Sequence, residues 1–498
     1  MIYPSRRQLL VAGLGLGASA TLAACSGGAS TTSRPAAAFP PPGPVPPSPG
    51  QSVVSTRLTA APLTLDLGGR TVQTWAYGDT VPGTALRATA GDLLRVTLDN
   101  QLPTDTTVHW HGIRLRPQAD GVPGLTQDPV RTGESFLYEF TAPDPGTYFF
   151  HPHVGTQLDR GLYAPLIIDD PAEPGDYDLE WVVVLDDWID GTGTTPEEVL
   201  EQLVADGASG TGGMDHGAMA GMDHGSMSTG SGEAPWGTDT GDVSYPHYLI
   251  NGKLPTDPAV LQGRPGQRVR LRVISAASDT IFAVALGGHR MTVTHTDGWP
   301  VRPVQTDAFY IGMGERYDAV VTLGPGVFPL VARPVGRSTG GQGLAVVRTA
   351  TGALPAADVN PDELDGQVLT GSQLEPDDAA RLPTKAPDAT AALRLGGTMA
   401  PYLWTINGAP YGQNEPLRVA PGQRLRLNAS NMTMMPHPVH LHGHTFALPN
   451  GLRKDTLLMA PMESVALDLD ADNPGDWMIH CHNTYHAEAG MMIDLRYT

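Results

Sequence analysis

Gly91-Asp92-Leu93-Leu94-Arg95-Val96-Thr97-Leu98 decides the fold, because the chain repeats it. It returns as Gly266-Gln267-Arg268-Val269-Arg270-Leu271-Arg272-Val273 and again as Gly422-Gln423-Arg424-Leu425-Arg426-Leu427. A turn glycine followed by alternating apolar and polar residues predicts a half-buried β-strand. A second block follows each copy. Glu134 leads twelve residues later to Gly146 in GTYFFHPH, and Glu463 twelve residues later to Gly475 in GDWMIHCH. Between them, Glu315 leads eleven residues later to Gly326 in GVFPLVAR. One unit is thus used three times, at a spacing of roughly 160–175 residues. Each is expected to be an antiparallel Greek-key β-barrel or sandwich. Units one and three end in His-x-His, whereas the middle unit has Val331 and Arg333 there, so it is expected to keep the fold without the ligands.

The bulk properties agree. A chain of 498 residues suits about three domains. Its 59 Gly and 46 Pro favour short strands and turns over long helices. Pro and Gly cluster near 170–174 and Asp and Pro across 353–387, giving predicted domains at 53–172, 173–352 and 388–498 with 353–387 as linker. A net charge of −21 argues against a nucleic-acid or anionic-membrane binder and suits a cationic partner. Only Cys25 and Cys481 are present, which excludes a disulfide scaffold and a structural cysteine–zinc site.

Residues 1–25 read as an export signal. Ser5-Arg6-Arg7-Gln8-Leu9-Leu10 resembles a twin-arginine motif, and the apolar run after it is too short for a membrane span. Leu22-Ala23-Ala24-Cys25 resembles a lipoprotein cleavage box, with Cys25 the lipidated residue. Residues 26–52, with eight prolines between Pro35 and Pro49, are expected to form a disordered spacer. The expected location is extracytoplasmic, on the outer face of a bacterial membrane through the lipid alone.

Histidine carries the chemistry. Four clusters stand out among the 16 His: His109-Trp110-His111; His151-Pro152-His153; His437-Pro438-Val439-His440-Leu441-His442; and His480-Cys481-His482 with His486 and Met491. On a strand, residues i and i+2 share a face, so each His-x-His can aim two imidazoles at neighbouring metals. Cys481 then faces a separate pocket, where His437, His486 and Met491 are available. A His₂Cys set with a weak axial Met is the signature of blue copper. Eight imidazoles remain, which suits three further copper ions with open positions for oxygen.

These motifs, in this order and spacing, resemble the multicopper oxidases, the family of laccases, ascorbate oxidase, ceruloplasmin and bacterial cuprous oxidases. The likeness covers about residues 55–498, and HCHxxxHxxxGM is among the most specific short metal signatures. The export motifs and YPHYLINGKLP (245–255) are similar to the actinobacterial copper-resistance lipoproteins. The resemblance implies three cupredoxin-like barrels and four copper ions. It gives the type 1 copper His437, Cys481 and His486 with Met491 axial, and the type 2 copper His109 and His440. The type 3 pair receives His111, His151, His153, His442, His480 and His482. It makes Asp120, nine positions after His111, a candidate for moving protons. Many bacterial members carry Glu directly after the type 1 His that follows the Cys. Here Ala487 stands there and Glu488 one residue later, so substitution by Glu488 and proton delivery by water both stay open. The implied reaction takes single electrons at the type 1 copper and reduces O₂ to water at the trinuclear cluster.

Residues 208–232 form an expected insertion in which Met214-Asp215-His216-Gly217 recurs as Met222-Asp223-His224-Gly225, with Met219 and Met227. Thioethers select Cu(I), so these six Met and His are candidate substrate-copper ligands. Met432, Met434 and Met435 are read as core packing. His247, His289, His295 and His444 show no ligand pattern. The leading expectation is a monomeric oxidase of Cu(I) for copper detoxification. A laccase-like phenol oxidase, a ferroxidase and a non-catalytic copper-sequestering lipoprotein are the alternatives.

Overall fold

A computed structural model describes residues 45–173, 175–209, 235–337 and 339–498. Strand makes up 46% and helix 8%, and the strands form six sheets, two for each repeat unit. The three repeated strands become Leu93–Asn100, Arg268–Ser275 and Arg424–Asn431. Each lies between a parallel partner that precedes it and an antiparallel partner that follows it. The parallel partners are Val53–Leu67, Leu179–Trp188 and Ala389–Met399. The antiparallel ones are Ser135–Thr141, Arg316–Thr322 and Ser464–Asp470.

Two repeated residue types have direct local causes. Gly91, Gly266 and Gly422 sit at φ of +93°, +85° and +80°, the left-handed conformation that glycine adopts without penalty. Glu134, Glu315 and Glu463 each accept a hydrogen bond from the amide three residues earlier, at 3.4, 2.8 and 2.7 Å. The carboxylate closes the turn that feeds the next strand. The expected alternation holds in the first unit, where Leu94, Val96 and Leu98 are buried and Arg95, Thr97 and Asp99 are half-buried. The middle strand is buried on both faces, because Arg270 and Arg272 turn inward to Asp318 and Glu180.

The second sheets carry the histidines. His109–His111 pairs antiparallel with Gly146–His151, so that His109 faces His151 across the ladder. His437–Leu441 pairs with Asp476–Cys481, placing His440 opposite His480 and Val439 opposite Cys481. The equivalent middle pair, Phe282–Leu286 and Val327–Pro334, carries apolar core instead.

Two local expectations change. Residues 45–52 are docked rather than free: Val45 N donates to Glu139 Oε2 at 3.1 Å, Arg95 donates to Val45 O, and Gln51 donates to Gly91 O. The segment 353–387 adds the strand Val368–Leu369 to the edge of a middle sheet, beside Ala308–Ile311. The helix Pro196–Ser209, with Glu197 and Glu198 in its first turn, precedes the Met/His segment. Among the described residues no helix is long and apolar enough to cross a membrane. Cys25, the export motifs and the six Met and His of 214–227 lie outside the described residues.

Candidate metal centre

Two donor clusters form in the buried interior. In the first, Cys481 Sγ lies 3.6 Å from His437 Nδ1 and 3.7 Å from His486 Nδ1, and the two ring nitrogens are 3.1 Å apart. All three residues are buried. The short helix Thr484–Glu488 presents His486, and Asn483 caps it by accepting from the amides of Tyr485 and His486. Met491 is fully buried and is tied in by its backbone, which accepts from Cys481 N and donates to His486 O. Trp404 lies against the His486 ring at 4.0 Å between centroids.

The second cluster forms where the histidine-bearing sheets of units one and three meet. Ring nitrogens face one another in pairs: His109 Nε2 and His440 Nε2 at 3.3 Å, His442 Nε2 and His480 Nε2 at 3.1 Å, and His151 Nε2 and His482 Nε2 at 3.4 Å. His153 joins His442 and His480, and His111 joins His109 and His151. Trp110, between the two histidines of its motif, points the other way into the first core against Phe140 and Phe150.

The donor chemistry fits copper. Nitrogens held roughly 2.0 Å from one ion are separated by a little over 3 Å, which is the spacing of these pairs. His111 Nδ1 and His482 Nδ1 are buried without a hydrogen-bond partner. Such atoms are costly unless something binds them. Burial first, then the neighbouring imidazoles, holds His111, His151, His153, His442, His480 and His482 well below the usual imidazole value. Burial and His486 do the same for His437. These rings stay neutral, as ligands must be. His₂Cys suits a blue-copper site, and crowded imidazoles suit copper in either oxidation state.

Outer partners orient the rings. Asp120 is buried, with Oδ2 3.0 Å from His442 Nδ1 and its backbone oxygen 3.0 Å from His109 Nδ1. Asp455 O lies 3.0 Å from His440 Nδ1. Glu488 is half-buried and lines a cavity of about 30 Å³ with His151, His153, His480 and His482. That is room for a water or two.

Several of these residues were not readable from spacing. Asp242, from the middle unit, holds its carboxylate 3.0 Å from His486 Nε2 and accepts from Tyr402 OH at 2.7 Å. Burial would push the His486 imidazolium down, but Asp242 and the Cys481 sulfur outweigh it and raise the ring to about 10 in the absence of metal. Thr433 Oγ1 lies 2.7 Å from His437 Nε2. On either side of it, Met432 and Met434 are 59% and 70% exposed, and only Met435 is buried, so core packing is corrected for the first two. The turn 431–435 runs over the surface, pinned by Asn431, and leaves these side chains no core to enter. His289 and His444 make ordinary structural hydrogen bonds, to Gly287 O and Gly324 N and to His442 O and Tyr497 OH.

Fold and donor set together define a multicopper oxidase. Family models described as multicopper oxidase match residues 60–173, 180–352 and 384–498, and the chain belongs to that family. It is similar to multicopper oxidase MmcO of Mycobacterium tuberculosis, 45% identical over 99% of this chain and 96% of the relative. A copper resistance protein A homolog of Pseudomonas syringae pv. tomato is 29% identical, over 90% of this chain and 94% of its own. Among solved structures, Fet3p, a multicopper oxidase that functions in iron import, aligns with a TM-score of 0.75 over 90% of each chain. At 19% identity that likeness is one of fold. The chain is an O₂-dependent oxidoreductase with copper cofactors.

Proposed function

We propose that this oxidase uses Cu(I) as its electron donor and converts it to Cu(II). His437, Cys481 and His486, with Met491 as a further candidate, would hold the type 1 copper, and His109 and His440 the type 2 copper. His111, His151, His153, His442, His480 and His482 would hold the type 3 pair. The bound copper supplies one-electron oxidation of the donor and four-electron reduction of O₂ to water. Asp120 orients His442 and is placed to pass protons into the cluster. Glu488, at the small cavity, is the second candidate for that task.

The observation that carries the choice of donor is the buried Asp242 carboxylate 3.0 Å from His486 Nε2. It occupies the imidazole edge that a neutral phenol would need to touch, and it attracts a cation. Asp242 alone would serve Fe(II) equally well. The thioethers of Met432 and Met434, exposed beside Thr433 and His437, tip the balance to Cu(I), for which soft sulfur is selective. A net charge of −21 concentrates a metal cation and does nothing for a phenol. A copper store would need neither Cys481 between two histidines nor the imidazole cluster.

The test is a set of saturation curves for Cu(I) and a phenol, using the parent, Asp242→Asn and a deletion of 213–228, all loaded with equal copper. Asp242→Asn is expected to lower the ratio of kcat/KM for Cu(I) to that for phenol about tenfold, the effect of losing ~1.4 kcal/mol of differential binding. The deletion is expected to raise the apparent KM for Cu(I) more than it lowers kcat, with phenol turnover level. Equal changes for both donors would move the assignment to a general laccase.

Anchoring is a separate proposal, resting on the Leu22-Ala23-Ala24-Cys25 box and the Pro-rich segment after it. Cys25→Ser is expected to move the protein from the membrane to the soluble fraction at unchanged specific activity, as judged by fractionation and oxygen uptake. A variant that stays with the membrane would refute the lipid anchor.

A further inference from the structure

The middle unit has no His-x-His, yet its turn 312–316 reaches the imidazole cluster. Gly314 sits at φ +82°, and a Cβ there would lie 2.9 Å from both His111 Cε1 and His482 Cδ2. Two residues on, Arg316 is fully buried and touches all three units. Its Nη1 and Nη2 donate to Asp455 Oδ1 and Oδ2 at 2.6 and 2.5 Å. Nη1 also donates to Gly314 O at 3.0 Å, and Nε to Thr147 O at 3.1 Å on the first unit's histidine strand.

Asp455 passes this hold to the ligands. Its Oδ1 accepts from Thr456 Oγ1 at 2.9 Å and lies 3.3 Å from His111 Nε2 and 3.5 Å from His440 Nδ1. The backbone behind it is fixed by Asp297, whose Oδ2 accepts from the amides of Asp455 and Thr456 at 3.3 and 3.2 Å. Asp297 is itself paired with the buried Lys454 at 3.1 Å, and Lys454 reaches Glu315 at 3.2 Å. Buried charges persist only where each is matched in geometry as well as sign. Here the middle unit supplies Asp297, Glu315 and Arg316, and the third supplies Lys454 and Asp455.

We propose that Arg316 is a positioning residue that sets the orientation of His440 and thereby the retention of the type 2 copper. This rests on the copper assignment above. The selectivity follows from ligand number: the type 2 copper has two protein imidazoles, His109 and His440, while each type 3 copper has three. Misorienting His440 removes half of one donor set, whereas His111, which the same carboxylate faces at 3.3 Å, is one of three donors, and two remain if it is displaced. The bidentate fork matters, because a lysine ammonium is a point charge that cannot hold both carboxylate oxygens in plane.

The experiment compares copper-loaded parent, Arg316→Lys and Asp455→Asn by copper content, visible absorption, electron paramagnetic resonance and copper loss to a chelator. Both variants are expected to keep the parent blue absorption, lose most of the type 2 signal, and release that copper at least about tenfold faster, which is ~1.4 kcal/mol. Excess copper is expected to refill the site, which a misfolded protein would not allow. An unchanged type 2 signal and chelation rate in both variants would overturn the proposal. Should Arg316→Lys fail to fold, Asp455→Asn decides it by the same readouts. Loss of the blue band together with the type 2 signal in Asp455→Asn would make the network a folding element and also overturn it. A parent protein without a type 2 signal would instead refute the copper assignment.

Discussion

Replacing Cys481 by Ser is expected to abolish the intense blue absorption and the oxidase turnover together, while the β-fold stays in place. Cys481 supplies the only thiol among the described residues, its sulfur 3.6 and 3.7 Å from the two facing imidazole nitrogens. A serine oxygen cannot supply the sulfur-to-copper charge transfer that gives blue copper its colour. Cys481 is a free thiol, so no disulfide is lost. Its backbone also makes the ladder contact with Val439 and donates the amide hydrogen bond to Met491 O, neither of which needs the sulfur. The thiol has a second role in the arrangement: His480 and His482 flank it, so the shortest covalent route between the two donor clusters runs through this one residue. Visible absorption, oxygen uptake and circular dichroism on the copper-loaded variant provide the check. A blue, active Cys481→Ser protein would remove the type 1 assignment.

Asp120→Asn is expected to be nearly as damaging by a different route. Asn keeps the size of the side chain and can still accept from His442 Nδ1, where Asp120 Oδ2 stands at 3.0 Å. What it loses is the ability to take up and pass on a proton. General acid–base groups contribute about 10²–10⁴-fold, so kcat should fall by that order. Anaerobic bleaching of the blue band by Cu(I) should run at the parental rate, because Asp120 touches His109 and His442 and neither Cys481 nor His486. Return of the blue colour on adding O₂ should be the slow step. Turnover within about twofold of the parent would exclude Asp120 from proton delivery.

How much of this was legible in the sequence depends on range. The repeated strand, the turn glycines and the His-x-His pairs are local patterns, and the period of 2 along a strand correctly separates Trp110 and Cys481 from the histidines beside them. The triple repeat fixes the all-β architecture for the same reason. Asp242, Asp455 and Arg316 carry no such mark. Asp242 reaches His486 across 244 positions, and Arg316 reaches Asp455 across 139. Each looks like any surface charge until the three units are packed. The tail 45–52 misled in the opposite sense, since its composition is that of a spacer and its docking comes from Glu139 and Arg95 on a neighbouring sheet. Met432 and Met434 show the limit of composition-based reading, because methionine in a short run gives no sign of which side of a turn it occupies.

Cu(I) and O₂ consumed together in one vessel by the copper-loaded protein test the assignment most directly. Four-electron reduction at an intact cluster predicts that Cu(I) and O₂ disappear in a ratio of about four to one, with no peroxide released. Cu(I) taken up without oxygen consumption, or a ratio near two to one with hydrogen peroxide as product, would contradict it.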